Sequence, residues 1–273
     1  MTEAPAYFQA SSTIRRIHGE RAVAISGARA LLMQAAHPLA VFGLLSHSSA
    51  LEEPYDRLGR TAEAMNAIVF GTREQADAVS RRVRAMHRRV SGRLPSAIGP
   101  YPAGTPYRAD DPELLMWILY TLVDSAMVLY ARYVRPLAAA ERESFWQDYR
   151  VVGRLFGLRA AEMPATSAEL ADYGREMLDS GRLVVTDWAR ERARQIVLSP
   201  PVPTLAQPAL QTVNFVTIAL LPDEIRRQYR FSPLPPPLLR RALVAGGAEY
   251  FRRAVLPFIP GRLRLVPGAR AAA

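Results

Sequence analysis

Four histidines, His18, His37, His47 and His87, are the only imidazoles in 273 residues, and no cysteine accompanies them. Thiolate metal sites, disulfides and a cysteine nucleophile are therefore excluded. No HExxH, P-loop or GxSxG pattern occurs either. His87 is the most informative of the four. In the run from Arg73, the apolar residues Ala76, Val79, Val83 and Val90 recur at helical spacing, and His87 falls on their stripe. Two readings fit such an imidazole. One is a core histidine bonded to a carbonyl or carboxylate. The other is an axial ligand to a metal or metallocofactor, for which neutral imidazole is suited.

Arg57 and Thr61 are four residues apart and share one helix face, where a guanidinium and a hydroxyl can hold a carboxylate or an oxygen species. On its own, Arg57 reads as a surface residue of a first helical turn. His37 and His47 flank a short apolar helix. At ten residues' separation they face about 80° apart and lie about 15 Å apart along the axis, so they do not chelate one ion together. Asp124 sits inside the apolar run Leu114–Ala131 and needs a basic partner, since an unpaired buried carboxylate is costly.

The elements that must position these residues read as helical almost throughout. Helices are expected at 28–36, 38–46, 57–70 and 73–91, the last with Thr72 as cap and Gln75 three residues on. Asp111-Pro112-Glu113 opens a helix to about Tyr133: a capping aspartate, a proline in the first turn, then an acid. Further helices are expected at 138–156, 167–179, 187–198, 207–221 and 235–255. Residues 92–110, with four prolines and three glycines, read as a long ordered loop, and Leu183–Thr186 as a β-like run too short for a sheet. The expected architecture is all-α, one domain over 1–273 of roughly ten helices, with 235–264 as a C-terminal docking helix.

Composition narrows the function further. Hydrophobic residues make up 49%, enough to bury a large core. The net charge of +10 comes from arginine alone, spread along the chain rather than clustered, so a nucleic-acid partner is not expected. The N-terminus lacks a basic then apolar leader pattern. The apolar run 114–131 carries Asp124, which favours a core helix over a membrane span. The expected location is cytoplasmic. A variant of that expectation is peripheral membrane contact through the C-terminal segment, where Arg252 and Arg253 alternate with Phe251, Leu256 and Phe258.

One ordered set of motifs carries more than its parts. Gly27-Ala-Arg-Ala-Leu-Leu-Met-Gln-Ala-Ala-His-Pro38, His47-Ser48, Pro54-x-x-Arg57-x-x-x-Thr61, Phe70-Gly71, His87, Tyr107-x-Ala-Asp-Asp-Pro112 and Trp117 resemble the MpaB/latex-clearing-protein (rubber oxygenase) family. The likeness extends more weakly through Thr121–Ser125, Arg135–Leu137, Glu141 and Leu220–Pro222, covering roughly 15–230. The resemblance implies an all-α oxygenase that binds haem b and uses dioxygen to cleave double bonds in polyisoprene or a prenyl chain. By position His87 matches the histidine that ligates the iron, and Arg57 and Thr61 match a pair in the haem pocket. His37 and His47, inside the quoted motifs, join them as candidate cofactor contacts. One position departs from the pattern: Leu119 stands where family members commonly carry histidine. The alternative is a metal-free carrier of a lipid or isoprenoid on the same fold.

Overall fold

The computed structural model describes residues 5–46, 54–200, 202–231 and 235–270; the side chains of 44–46, 54–58 and 270 are outside that description. The chain runs α1 (Thr13–Gly19), α2 (Ser26–Ala35), α3 (Pro38–Ser46), α4 (Pro54–Phe70) and α5 (Arg73–His87), then strands β1 (Ser91–Arg93) and β2 (Pro106–Arg108). It continues through α6 (Pro112–Tyr133), α7 (Ala139–Phe156), α8 (Ser167–Asp179) and α9 (Asp187–Ala193). The last elements are α10 (Gln207–Ala219), α11 (Asp223–Tyr229), α12 (Pro237–Tyr250), α13 (Gly261–Arg264) and α14 (Pro267–Arg270). The all-α expectation holds, with one two-stranded antiparallel ladder among the described residues.

Helix α6 is the axis of the fold. Asp111 caps it, its Oδ1 accepting from the Glu113 and Leu114 amides at 2.8 and 3.3 Å, and Pro112 takes the first turn, where its missing N–H costs nothing. Its residues Trp117, Val123 and Ala126 are fully enclosed. The helix is long and apolar enough to span a membrane, yet 67% of that window is buried inside the protein, which is how a core helix behaves. Antiparallel α2 packs along it. Gln34 Nε2 donates to Thr121 Oγ1 at 2.9 Å, and one turn further Arg29 Nη1 reaches Asp124 Oδ2 at 2.7 Å and Ser125 Oγ at 2.8 Å. The half-buried carboxylate of Asp124 thus finds a basic partner, and Arg29 is the deeper of the two. On the other side α7 contributes Phe145, Trp146 and Tyr149, all at most 1% exposed, and burial of that size is worth about 2–3 kcal/mol per aromatic side chain.

Several boundaries differ from expectation for local reasons. The helix from Arg73 stops at His87, because Ser91–Arg93 pairs with Pro106–Arg108. The proline-rich stretch is therefore a short hairpin rather than loop alone. The helix from Asp187 closes at Ala193 and continues as one wider turn over Arg194–Leu198; α12 does the same over Phe251–Val255. Leu183–Val185 stays out of any sheet. Val184 N donates to Ala36 O at 2.7 Å, and the Gln228 amide bonds Leu183 O and Val185 N at 3.0 and 2.8 Å, standing in for a neighbouring strand.

The last described residues lie against α1 and its exit. Arg264 forks onto Glu20 with Nε at 3.0 and 2.8 Å, and Val266 N donates to Gly19 O at 2.9 Å. Helix α12 itself buries only the stripe Arg240, Val244 and Ala248, leaving Leu238, Leu239 and Leu243 exposed.

Candidate functional site

Helices α4 and α5 form a hairpin closed by Gly71 and Thr72. Thr72 Oγ1 accepts from Gln75 N at 3.2 Å, and Gln75 Oε1 accepts from Thr72 N at 2.9 Å, so the capping box foreseen in the sequence is complete. This turn fixes the register of the pair. Residue 57 lies thirteen before Phe70, and Met86 lies thirteen after Arg73. Both are therefore about 20 Å from the turn, and Thr61 is level with Arg82. The hairpin brings the 57–61 segment and His87 to one end. Thr61 is exposed there; the Arg57 side chain and His47 fall outside the described residues.

The imidazole stripe of α5 is buried where it begins and half-buried where it ends. Ala76 and Ser80 are enclosed, while Val79, Val83, His87 and Val90 are partly covered. The helix leaves the core along its length, so His87 sits at the boundary rather than in the interior. Its charge acts on Asp110, just before α6. That carboxyl is held below the usual range chiefly by the hydrogen bond from Arg108, with His87 adding to the same effect.

Other elements meet the hairpin end. A Cβ placed on Gly43 of α3 would lie 3.7 Å from both Val90 and Tyr107, so α3 runs against the β-hairpin and the exit of α5. A cavity of about 440 Å³ opens here, lined by Arg82, Ala85, Met86, Arg89 and Val90. Its walls combine apolar side chains with two guanidiniums. His87 is not among them; it flanks the cavity on the same turn, about 100° round the helix from Met86. Arg82 and Arg89 lie off the apolar stripe of α5 and were not singled out from the sequence. Their spacing with Met86, four and three residues, was the available signal that they share one face.

His37 lies at the other end of α3, fully buried. Tyr101 Oη and His37 Nε2 are 3.2 Å apart, Arg182 Nε donates to Tyr101 Oη at 3.3 Å, and the Arg182 guanidinium grips Glu113 at 3.0 and 2.6 Å. Burial, then the Arg182 charge, pushes His37 down to about 4, so it is neutral at physiological pH. His18 pairs with Tyr149 Oη at 2.7 Å and is pushed down to about 4 by burial. The structure thus separates His37 from the hairpin end and gives it a protein partner. Leu119 is enclosed against Gly153 of α7.

Among the described residues no three His, Asp or Glu side chains converge as metal ligands. What the hairpin end offers is a single imidazole beside an apolar cavity edged with positive charge. A single nitrogen donor does not by itself make a site for a bare ion; it could serve a cofactor that carries its own metal.

Residues 15–255 match the sequence pattern of the family described as ER-bound oxygenase mpaB/B'/rubber oxygenase, catalytic domain. No curated protein and no solved structure matches the chain.

Proposed function

Because the chain belongs to the ER-bound oxygenase mpaB/B'/rubber oxygenase catalytic-domain family, we propose that it is a haem b-dependent oxygenase using dioxygen on a hydrophobic, isoprenoid- or lipid-like alkene. The oxygenase kind is that of its family; cofactor and substrate class are our reading. The observation that carries it is the convergence at the α4–α5 hairpin end. There a half-buried histidine flanks a 440 Å³ cavity of mixed apolar and cationic lining, at the same end of the helix pair as residues 57–61.

The residues present fit haem. His87 supplies one imidazole nitrogen from the last turn of a helix. Arg82, five residues before it, and Arg89, two after, line the cavity and are suited to propionate carboxylates. Ala85, Met86 and Val90 supply an apolar wall suited to contact with hydrocarbon. When bound, haem supplies the redox-active iron that dioxygen chemistry requires. The work left to this chain is positioning. Arg57 and Thr61, one turn apart in the sequence of α4, are the guanidinium and the hydroxyl that we assign to orienting a propionate or an oxygen-bearing group.

A metal-free hydrophobic-ligand carrier is the second reading, and Leu119 is what favours it: a position commonly histidine in the family is here a packed apolar side chain. One titration separates the two. Purified chain is titrated with hemin and its visible spectrum recorded beside His87→Ala. Stoichiometric uptake with a sharp Soret band that the variant loses supports the haem oxygenase. Absent uptake, or equal uptake by both proteins, overturns His87 as ligand and leaves the carrier.

A further inference from the structure

A second cavity, of about 340 Å³, lies among the end of α6, the α10–α11 junction and α12. Its charged lining is one-sided. Arg132, Arg226, Arg240 and Arg241 face it, and Asp223 is the one carboxylate. These arginines come from three helices far apart in sequence, and the fold brings them together.

Each guanidinium has a different status. Arg226 is structural as well as lining. Its Nη1 donates to Leu221 O at 2.8 Å and Ala219 O at 3.4 Å, closing the C-terminus of α10, while Nη2 meets Asp223. Arg240 is 8% exposed, yet among the described residues its guanidinium makes no hydrogen bond, and its nearest carboxylate oxygen, on Asp223, is 4.0 Å away. Arg241 stands 3.9 Å from the same carboxylate, and it and Arg132 are exposed at the cavity mouth. Asp223 is thus shared among three arginines and already engaged by one. The surplus positive charge is felt within the cluster: burial, then the charges of Arg240 and Arg241, push Arg226 below its ordinary range.

A nine-tenths buried cation without a hydrogen-bond acceptor is costly, and several together raise the cost. An anion entering the cavity would relieve both. Four guanidiniums offer more donors than one carboxylate accepts, whereas a phosphate presents three oxygens and close to two charges in a geometry arginine forks match. We propose that this cavity is a binding site for a phosphate group, carried by a soluble phosphoester or by a lipid headgroup. The exposed leucines 238, 239 and 243 flank Arg240 and Arg241 on α12, which is where acyl chains would lie if the phosphate belongs to a lipid. The site is independent of the haem reading.

The full chain is titrated calorimetrically with inorganic phosphate at constant ionic strength, and floated with phosphatidylcholine vesicles with or without phosphatidic acid. The comparison protein is R132Q/R241Q, which alters two exposed side chains and leaves the Arg226 cap in place. R240Q is a second variant, with melting temperature checking its fold. Saturable binding of one phosphate per chain, weakened about tenfold or more in R132Q/R241Q and without flotation, supports a soluble phosphoester. Flotation that needs phosphatidic acid and is lost in the variant supports a headgroup. If the unaltered chain shows neither behaviour, or if both variants retain its binding in full, the proposal is overturned.

Discussion

Arg29 on α2 is buried, 4% exposed in its side chain, and Asp124 on α6 takes its Nη1 at 2.7 Å while remaining 24% exposed. The guanidinium is also held by Ser125 Oγ at 2.8 Å and, through Nε, by Leu220 O at 2.8 Å. One side chain therefore ties α2, α6 and the end of α10. Because Arg29 is the deeper partner, losing Asp124 strands a buried cation. Asp124→Asn should cost about 2–3 kcal/mol, discounted for the exposure of Asp124, and lower the melting temperature by about 5–10 °C. The apolar pair R29M/D124L should lose less than the single variant, since it leaves no charge behind. Equal melting temperatures for Asp124→Asn and the unaltered chain would show that the pair carries no stability.

Two helical glycines predict unequal costs. A Cβ on Gly174 of α8 would run into the hydroxyl end of Tyr120, a ring 7% exposed and stacked on Trp117 at 5.5 Å. A Cβ on Gly153 of α7 meets chiefly the sulfur of Met163 at 2.5 Å, the far part of a flexible side chain. Gly174→Ala should destabilise by about 1–3 kcal/mol and Gly153→Ala by clearly less, despite the helix preference both substitutions gain. Urea midpoints measured on the two variants check the order, and the reverse order would refute it.

The two substitutions also mark what a sequence shows and what it hides. Capping residues act within one turn, so the start of α6 at Pro112, the Thr72–Gln75 box and the exact bounds of Ser167–Asp179 were readable from local pattern. The need of Asp124 for a basic partner was readable from burial cost, but its identity was not, because Arg29 is 95 residues away. The hairpin at 91–108 was missed because Gly92 serves a tertiary contact: a side chain there would collide with Tyr107 across the ladder. Of the candidate site, His87 and the Arg57–Thr61 turn were legible by periodicity and resemblance. The cationic rim at Arg82 and Arg89, and the gathering of Arg132, Arg226, Arg240 and Arg241, exist only once helices are packed.

Acid should unfold the protein in a window set by two histidines. His18 and His37 both fall from 6.5 to about 4 in the folded chain, so the unfolded chain binds protons there that the native one refuses. A depressed histidine contributes stability that is complete above the unfolded value of 6.5 and is lost as pH falls toward 4. The expected slope is about 2 kcal/mol per pH unit across that window. His18→Gln, which can still accept from Tyr149 Oη, should roughly halve it. Urea unfolding at several pH values gives the slope directly, and a flat profile across the window would contradict the burial of both rings.

The cavity rim gives the last prediction, one that distinguishes charge at the rim from ligation. Arg82 and Arg89 lie on exposed faces, so each pairing with a propionate is worth about 0.5–1 kcal/mol, screened as surface ion pairs are. Together they should hold hemin about five- to thirtyfold more tightly than glutamines do. In R82Q/R89Q, hemin should therefore dissociate faster and the effect should fade at high salt. The position of the Soret band should not move, because the proposed ligand His87 is untouched. His87→Ala should do the opposite, changing the band itself at any ionic strength. Competition with apomyoglobin measures the loss rates, and a band shift in R82Q/R89Q would mean that these arginines hold His87 in place rather than the propionates.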